Sequence, residues 1–263
     1  MNGLAWKRSL IGMVHVGALP TSPRAKLSVR EIVAQAVMET KTLRDAGFDA
    51  ILIENMHDVP YVNGPHDAAT VAAMTMVATA VRDAAGAMPV GIQILSRGEK
   101  EALAVAHASG LDFVRCENFV FAHVADEGLL ADAAAGPLLR YRRRLGAERI
   151  QIYADIQKKH ASHAITSDLG LSDLAHGAEF FGADGLIVTG MMTGQPADVS
   201  DVATARKATK LPILVGSGVT PDQLGALFAY ADALIVGSWI KTGGVWSNAV
   251  DAGRAREMVR ARG

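Results

Sequence analysis

The sequence predicts an α/β fold, a closed (β/α)8 TIM barrel, on three observations. Eight short runs rich in Ile, Val and Leu alternate with stretches of helical periodicity over 263 residues. Near-continuous apolar strands separated by helices signal a parallel sheet covered on both faces, and eight such units at this length match a barrel. A recurring phrase sets the register: Ala46-Gly47-Phe48-Asp49-Ala50, Ser109-Gly110-Leu111-Asp112-Phe113, Phe181-Gly182-Ala183-Asp184-Gly185 and Ala229-Tyr230-Ala231-Asp232-Ala233. Each joins a helix end to an Asp that opens a strand. The alternative, a doubly wound open sheet, lacks a Gly-x-Gly-x-x-Gly turn after the first strand. Residues 1–263 read as one barrel domain without linker or low-complexity run.

In order, Ser9–Val16 is the first strand, with His15 near its C-terminal end. The Pro-punctuated loop Gly17–Ser28 is long enough to act as a lid. Arg30–Ala46 has helical spacing of Ile32, Val33, Ala36, Val37 and Leu43 and stops at Gly47. Asp49–Glu54 is the second strand, and the loop Asn55–Pro65 carries Met56, His57, Asp58, Tyr61 and Asn63. A helix over Asp67–Ala85, a strand over Pro89–Leu95, a helix over Gly98–Ser109 and a strand over Asp112–Glu117 follow. An excursion, Asn118–Ala131, precedes the basic helix Gly136–Leu145. Arg149–Asp155 is the fifth strand, and the loop Ile156–Ser167 holds Lys158, Lys159, His160 and His163. Ser172–Phe181 is a helix, Asp184–Thr189 a strand and Val199–Thr209 a helix. Ile213–Val215 and Ala233–Val236 are the last strands, with a helical pattern over Pro221–Tyr230 between them and over Asn248–Arg262 after them.

Composition narrows the function classes. Hydrophobic residues are 50% and charged residues 20%, a globular balance. The net charge of −1 comes without a basic stripe, so nucleic acid is not an expected partner. Arg140, Arg142, Arg143 and Arg144 read as a solvated helix face. The one cysteine, Cys116, allows neither an intrachain disulfide nor a cysteine zinc site and fits a reduced cytoplasmic compartment. The apolar stretch Leu10–Val16 is too short to span a bilayer, so no stable membrane insertion is expected.

Function is expected where barrel strands end, because βα loops build the active site there. The stretch Leu211–Lys241 has two apolar strands ending in small-residue turns, Gly216-Ser217-Gly218 and Gly237-Ser238. Glycine lets the backbone approach a ligand, and exposed N–H groups bind anions. The pair reads as a phosphate cradle, to which Thr189-Gly190, with Thr193-Gly194 beyond, would add a third wall. Met191 and Met192 read as packing. Polar residues at the other strand ends are His15, Glu54, Asn55, Gln93, Arg115, Glu117, Asn118, Asp155, Lys158 and His160. Glu54 closes the run Ile51-Leu52-Ile53, where burial raises a carboxyl toward general-base range. Asp155 is a second acid across the mouth. Lys158 is a candidate for Schiff-base formation or phosphate binding, with Lys159 beside it. His160 could shuttle protons. His15, Glu54, His57 and Asp155 could instead converge on a metal, although no compact ligand motif is present.

Several phrases resemble the BtpA/SgcQ family of barrel proteins, named partly for a role in photosystem I biogenesis. They are Gly12-Met13-Val14-His15-Val16-Gly17-Ala18-Leu19-Pro20, Ile53-Glu54-Asn55-Met56-His57-Asp58-Val59-Pro60-Tyr61, Arg115-Cys116-Glu117-Asn118, Tyr153-Ala154-Asp155-Ile156-Gln157-Lys158-Lys159-His160, Val188-Thr189-Gly190 and Val215-Gly216-Ser217-Gly218-Val219. The resemblance covers almost the whole chain. It maps the family's Glu-Asn pair onto Glu54 and Asn55, and its Asp, Lys and His onto Asp155, Lys159 and His160, with Lys158 as the alternative lysine. Where family loops after strand two often read Asn-Phe/Tyr-Gly-Asp, this chain has Asn55-Met56-His57-Asp58. Gly216 to Gly237 is also similar to the phosphate-binding half of tryptophan synthase α and related ribulose-phosphate-binding barrels. Those resemblances imply a small phosphorylated ligand, a sugar or nucleoside derivative.

The expected protein is therefore an enzyme of isomerase, epimerase or lyase/aldolase type. Glu54, Asp155, Lys158, Lys159 and His160 are its catalytic candidates. His15, Asn55, Arg115, Asn118, Thr189, Gly190, Gly216, Ser217, Gly218, Gly237 and Ser238 are its substrate-binding candidates. No cofactor or metal is required, and a homo-oligomer is expected. The alternatives are a non-enzymatic photosystem or membrane-complex biogenesis factor and a metal-dependent hydrolase.

Overall fold

A computed structural model describes residues 4–190 and 196–263. Eight parallel strands close into a barrel: β1 Ser9–His15, β2 Ala50–Glu54, β3 Val90–Gln93, β4 Phe113–Cys116, β5 Gln151–Asp155, β6 Gly185–Thr189, β7 Ile213–Gly216 and β8 Ala233–Val236. Neighbours in sequence are neighbours in the sheet, and β8 returns to β1 through Ser9 opposite Ala233. The helices are α1 Val29–Ala46, α2 Ala68–Ala85, α3 Glu99–Ala108, α4 Ala135–Leu145, α5 Leu171–Phe180, α6 Val199–Ala208, α7 Leu224–Leu227 and α8 Ala252–Arg262.

Local chemistry sets the helix ends. Ser28 and Glu31 form a reciprocal capping box on α1, and Gly47 closes it at φ 97°. Asp67 and Asp251 cap α2 and α8. The helix expected over Pro221–Tyr230 is shorter: a 3-10 turn at Pro221–Gln223 and one α turn at α7. Gly225 in its middle is a weak helix former.

Strand alternation divides the core in two. Leu10, Val14, Ile51, Ile53, Ile92, Val114, Ile152, Leu186, Val215 and Leu234 belong to the large outer cluster with the helices. Ile11, Met13, Leu52, Phe113, Tyr153, Ile187, Leu214 and Ile235 fill the barrel. Phe113 and Tyr153 need glycine opposite them, since a Cβ on Gly91 would lie 2.1 Å from the Phe113 ring and one on Gly185 2.5 Å from Tyr153. Trp6 seals the lower end, edge-on to both rings, and its Nε1 donates to the Tyr153 hydroxyl at 2.7 Å.

The Asp of each recurring phrase has one job, done four times on the barrel floor. Asp49, Asp112, Asp184 and Asp232 accept from the backbone N–H of Leu10, Val90, Ile152 and Ile213 in the preceding strand, at 2.7–2.9 Å. An arginine from a helix completes each clamp: Arg262, Arg82, Arg142 and Arg206 respectively. Arg142, one member of the basic run, is thereby structural.

Candidate functional site

Continuing the inward alternation past the apolar layers brings His15, Glu54, Gln93, Arg115 and Asp155 to the upper end of the barrel. Glu54 and Gln93 are register partners on β2 and β3. The space above them is a cavity of about 220 Å³ walled by Glu54, Met56, Tyr61, Gln93, Arg115, Glu117, Asp126, Glu127, Lys158, Lys159, His160 and Trp246, with Leu95 and Ser96. A smaller pocket of about 30 Å³ adjoins it, lined by His15, Ser217, Gly218, Gly237 and Ser238. Glu54, Met56, Arg115 and Lys159 wall both, so the two are one continuous space.

The two glycine turns thus face the same pocket. Ser217 and Gly218 both have positive φ, 71° and 60°. Among the described residues the backbone N–H groups of Gly218, Gly237 and Ser238 have no hydrogen-bond partner. Free amides with the Lys159 and Arg115 cations opposite suit an oxyanion. The His15 ring lies beside Gly237. Its Nδ1 donates to the Trp246 carbonyl at 2.8 Å, leaving Nε2 as an acceptor. Burial, then the Lys241 charge, holds His15 well below its ordinary value, so it is a neutral imidazole.

The two adjacent lysines differ. Lys158 is committed: its Nζ donates to Glu127 at 2.5 Å and lies 3.6 Å from Glu117. Burial works against its charge, but Glu117 and Glu127 overcome that and raise its pKa. Lys159 lines both pockets and has no hydrogen bond or ion pair among the described residues. Burial, then the Arg115 charge, lowers its pKa. Glu117 lies on the wall of the larger cavity, and burial pushes it up to about 7 against the pull of Lys158. His160 also lines that cavity, with its pKa lowered by burial and Lys159.

Six expected site residues lie off these walls. Asp155 is held in a two-pronged fork with Arg115, at 3.0 and 2.9 Å, and both side chains are at most 5% exposed. It fixes the guanidinium, which also lies 3.9 Å from Glu54, rather than facing a ligand. Asn55 gives its amide to Asp58 and the Leu95 carbonyl and accepts from the Leu95 N–H, so it ties two loops together. Asn118 donates to the Asp132 carbonyl. The Thr189 hydroxyl donates to the Gln157 carbonyl and steadies the lysine loop. Gly190 follows β6 and Gly216 ends β7, both outside the two cavity walls. Thr193-Gly194 and Met191-Met192 lie outside the described residues. His15, Glu54, His57 and Asp155 do not converge, and no metal-holding group of three His, Cys, Asp or Glu occurs among the described residues.

The mouth is covered from an unexpected side. The loop Gly17–Ser28 lines a groove against α1 that also reaches His15, His57 and Trp246, with Arg24 and Lys26 on its wall. The cover comes from the excursion after β4, a hairpin of His123–Ala125 and Gly128–Leu130 that adds Ala161–Ser162 as a third strand. Its turn presents Asp126 and Glu127, and Glu127 also accepts from the Ser96 hydroxyl. Asp126-Glu127-Gly128 between short apolar segments is a hairpin signal. Trp246, following the Gly243-Gly244-Val245 turn after β8, is the other readable sign.

The BtpA family model matches residues 6–262, and the chain belongs to that family. An uncharacterized mitochondrial protein of Caenorhabditis elegans is 42% identical over 255 residues, covering 95% of this chain and 91% of that protein. The photosystem I biogenesis protein BtpA of Synechocystis is 34% identical over 253 residues, covering 96% and 87%. Among solved structures, (S)-3-O-geranylgeranylglyceryl phosphate synthase from Thermoplasma acidophilum, in complex with sn-glycerol-1-phosphate, aligns with a TM-score of 0.61 and 15% identity, covering 97% of this chain and 93% of that one. At that identity the likeness is one of fold. No helix among the described residues is long and apolar enough to cross a membrane.

Proposed function

We propose that the protein is an enzyme that moves a proton beside a carbonyl group in a small phosphorylated sugar or nucleoside derivative, as isomerases and epimerases do. The reading rests on one observation: the pocket with free amides and the acid-lined mouth are a single space joined at Glu54, Arg115 and Lys159. The phosphate sits against the N–H groups of Gly218, Gly237 and Ser238. Glu54 removes the proton from the carbon next to the carbonyl, and the electron pair moves onto the carbonyl oxygen. The ammonium of Lys159 and the guanidinium of Arg115 stabilise that enediolate; Glu54 returns the carbon proton to the former carbonyl carbon, while Lys159 gives a proton to the charged oxygen and takes one from the neighbouring hydroxyl, which becomes the new carbonyl. Asp155 acts through Arg115 as a positioning residue.

A thermal-shift screen of phosphorylated sugars identifies the ligand, and proton NMR in deuterium oxide then follows exchange of its carbon-bound protons. Exchange that Glu54→Gln abolishes is the expected result. Exchange unaffected by that change, or no phosphorylated compound raising the melting temperature, overturns the proposal. The unpaired, depressed Lys159 favours a second reading, a lyase or aldolase working through a Schiff base. Borohydride reduction in the presence of substrate, leaving an adduct on Lys159 by mass spectrometry, selects it.

A further inference from the structure

Among the described residues, four side-chain atoms are fully buried without a hydrogen-bond partner: Asn63 Oδ1, Gln93 Oε1, Asn118 Oδ1 and His123 Nε2. Of these residues only Gln93 lines one of the cavities described above. It is 2% exposed, ends β3 beside Glu54, and its Oε1 is unpaired in a wall where, apart from Lys159, several polar groups are already committed. Arg115 is held by Asp155, Lys158 by Glu127, and the Tyr61 hydroxyl donates to the Met56 carbonyl. A buried acceptor left unsatisfied is costly, and such groups in folded proteins find partners.

The rest of the mouth says what that partner carries. Its wall holds four acidic side chains (Glu54, Glu117, Asp126 and Glu127), of which Glu117 keeps its proton up to about 7, against three basic ones (Arg115, Lys158 and Lys159). A second anionic group therefore finds no surplus of positive charge in the mouth, and the phosphate belongs in the amide pocket. The portion of ligand seated in the mouth has to be uncharged and able to donate hydrogen bonds, which is the property of a hydroxylated carbon chain. The amide of Gln93 both accepts from and donates to a hydroxyl, so the orphaned oxygen is satisfied by a ligand O–H.

From this geometry we infer that Gln93 is a specificity residue that holds a hydroxyl of the substrate next to Glu54, and that the substrate is a monophosphorylated polyhydroxy compound. The inference rests on the proposed phosphate pocket. It goes further by assigning the sugar end to the mouth and a recognition role to Gln93. A site that pairs a buried amide with a ligand hydroxyl discriminates against the analogue lacking it, because the amide is then left unpaired.

The test measures binding of three probes by calorimetry: inorganic phosphate, ribose 5-phosphate and n-pentyl phosphate, a chain of similar length without hydroxyls. The wild-type protein should bind ribose 5-phosphate at least about tenfold more tightly than pentyl phosphate, the scale of one to two buried hydrogen bonds. Gln93→Leu should shrink that preference to about twofold while leaving pentyl phosphate and inorganic phosphate binding as before. Gln93→Glu, which keeps an acceptor, should retain much of it. Melting temperatures of the two variants check that they fold. Equal wild-type affinity for the two organic phosphates, or a preference untouched by Gln93→Leu, overturns the Gln93 inference alone. Ribose 5-phosphate that binds through Gln93 while inorganic and pentyl phosphate do not bind sinks the phosphate pocket alone. Binding of none of the three overturns both.

Discussion

The floor and the mouth of this barrel are both rich in charge, yet they use it in opposite ways. On the floor one arrangement recurs four times: a carboxylate on a neighbouring strand's N–H and a helix arginine on the carboxylate. Each aspartate there has its partners within the protein. At the mouth no two positions repeat. Arg115 and Lys158 are paired, whereas Lys159, Gln93 and the amides of Gly218, Gly237 and Ser238 keep unused capacity among the described residues. A charge whose partners are all internal stabilises the fold; a buried polar group without one is available to a ligand.

The largest expected effect separates the two ends. Lys159→Met should lower the rate of substrate proton exchange by about 10³-fold or more. Its melting temperature should hold or rise, because an unpaired buried charge is removed. Exchange within about tenfold of wild type would place the chemistry elsewhere.

Asp155→Asn sharpens the boundary, since Asp155 is a mouth residue built like a floor clamp. Leaving Arg115 buried and half-paired should cost about 3–5 kcal/mol in chemical denaturation. It should also weaken phosphate binding through the loosened guanidinium. Asp184→Ala on the floor should cost about 1–3 kcal/mol, because the Ile152 N–H and Arg142 lose their acceptor, with the half-exposed ion pair adding little. Its ligand affinity should match wild type. The same change at Asp112 or Asp232 should behave alike, and a floor variant that altered ligand affinity would break the comparison.

The smallest effect is in pH. Glu117 keeps its proton up to about 7 in the folded protein, against an ordinary 4.5. Its contribution to stability is therefore fully present below the ordinary value and is lost as pH rises toward 7. Ionisation also adds a negative charge to the mouth, so affinity for a phosphorylated ligand should fall by about two- to fivefold as pH passes 7. Glu117→Gln should flatten both profiles. His15 has the opposite sign: its depressed pKa means that stability is lost as pH falls below 6.5.

Most of the fold was legible because strand and helix periods differ and because an Asp opens every second strand. The phrase that announced the register also named the four floor carboxylates, though the arginines that meet them lie 26 to 213 residues away in sequence and carry no local mark of the pairing. At the mouth, strand ends pointed to Glu54, Arg115 and the two glycine turns. The choice between Lys158 and Lys159 was not readable, because it depends on Glu127, 31 residues before Lys158 on a hairpin that folds over the barrel. Asn55 and Asp155 stand at the expected strand ends, with their hydrogen bonds taken by Asp58 and Leu95 and by Arg115. A strand-end position says where a side chain emerges, not whether a neighbour has already taken its hydrogen bonds. Length alone marks the loop Gly17–Ser28 as a cover; the groove it makes with α1, beside His15, His57 and Trp246, depends on packing that length does not report.

The indole that plugs the barrel base has a practical consequence. Trp6 is packed on Phe113 and Tyr153, while Trp246 stands at the entrance against His57. Emission from these two rings reports on opposite poles of the molecule. With the third indole removed by Trp239→Phe, a titrant entering from above should change the signal of Trp246 and leave that of Trp6 still, and denaturant should move both, so one cuvette distinguishes occupancy from unravelling.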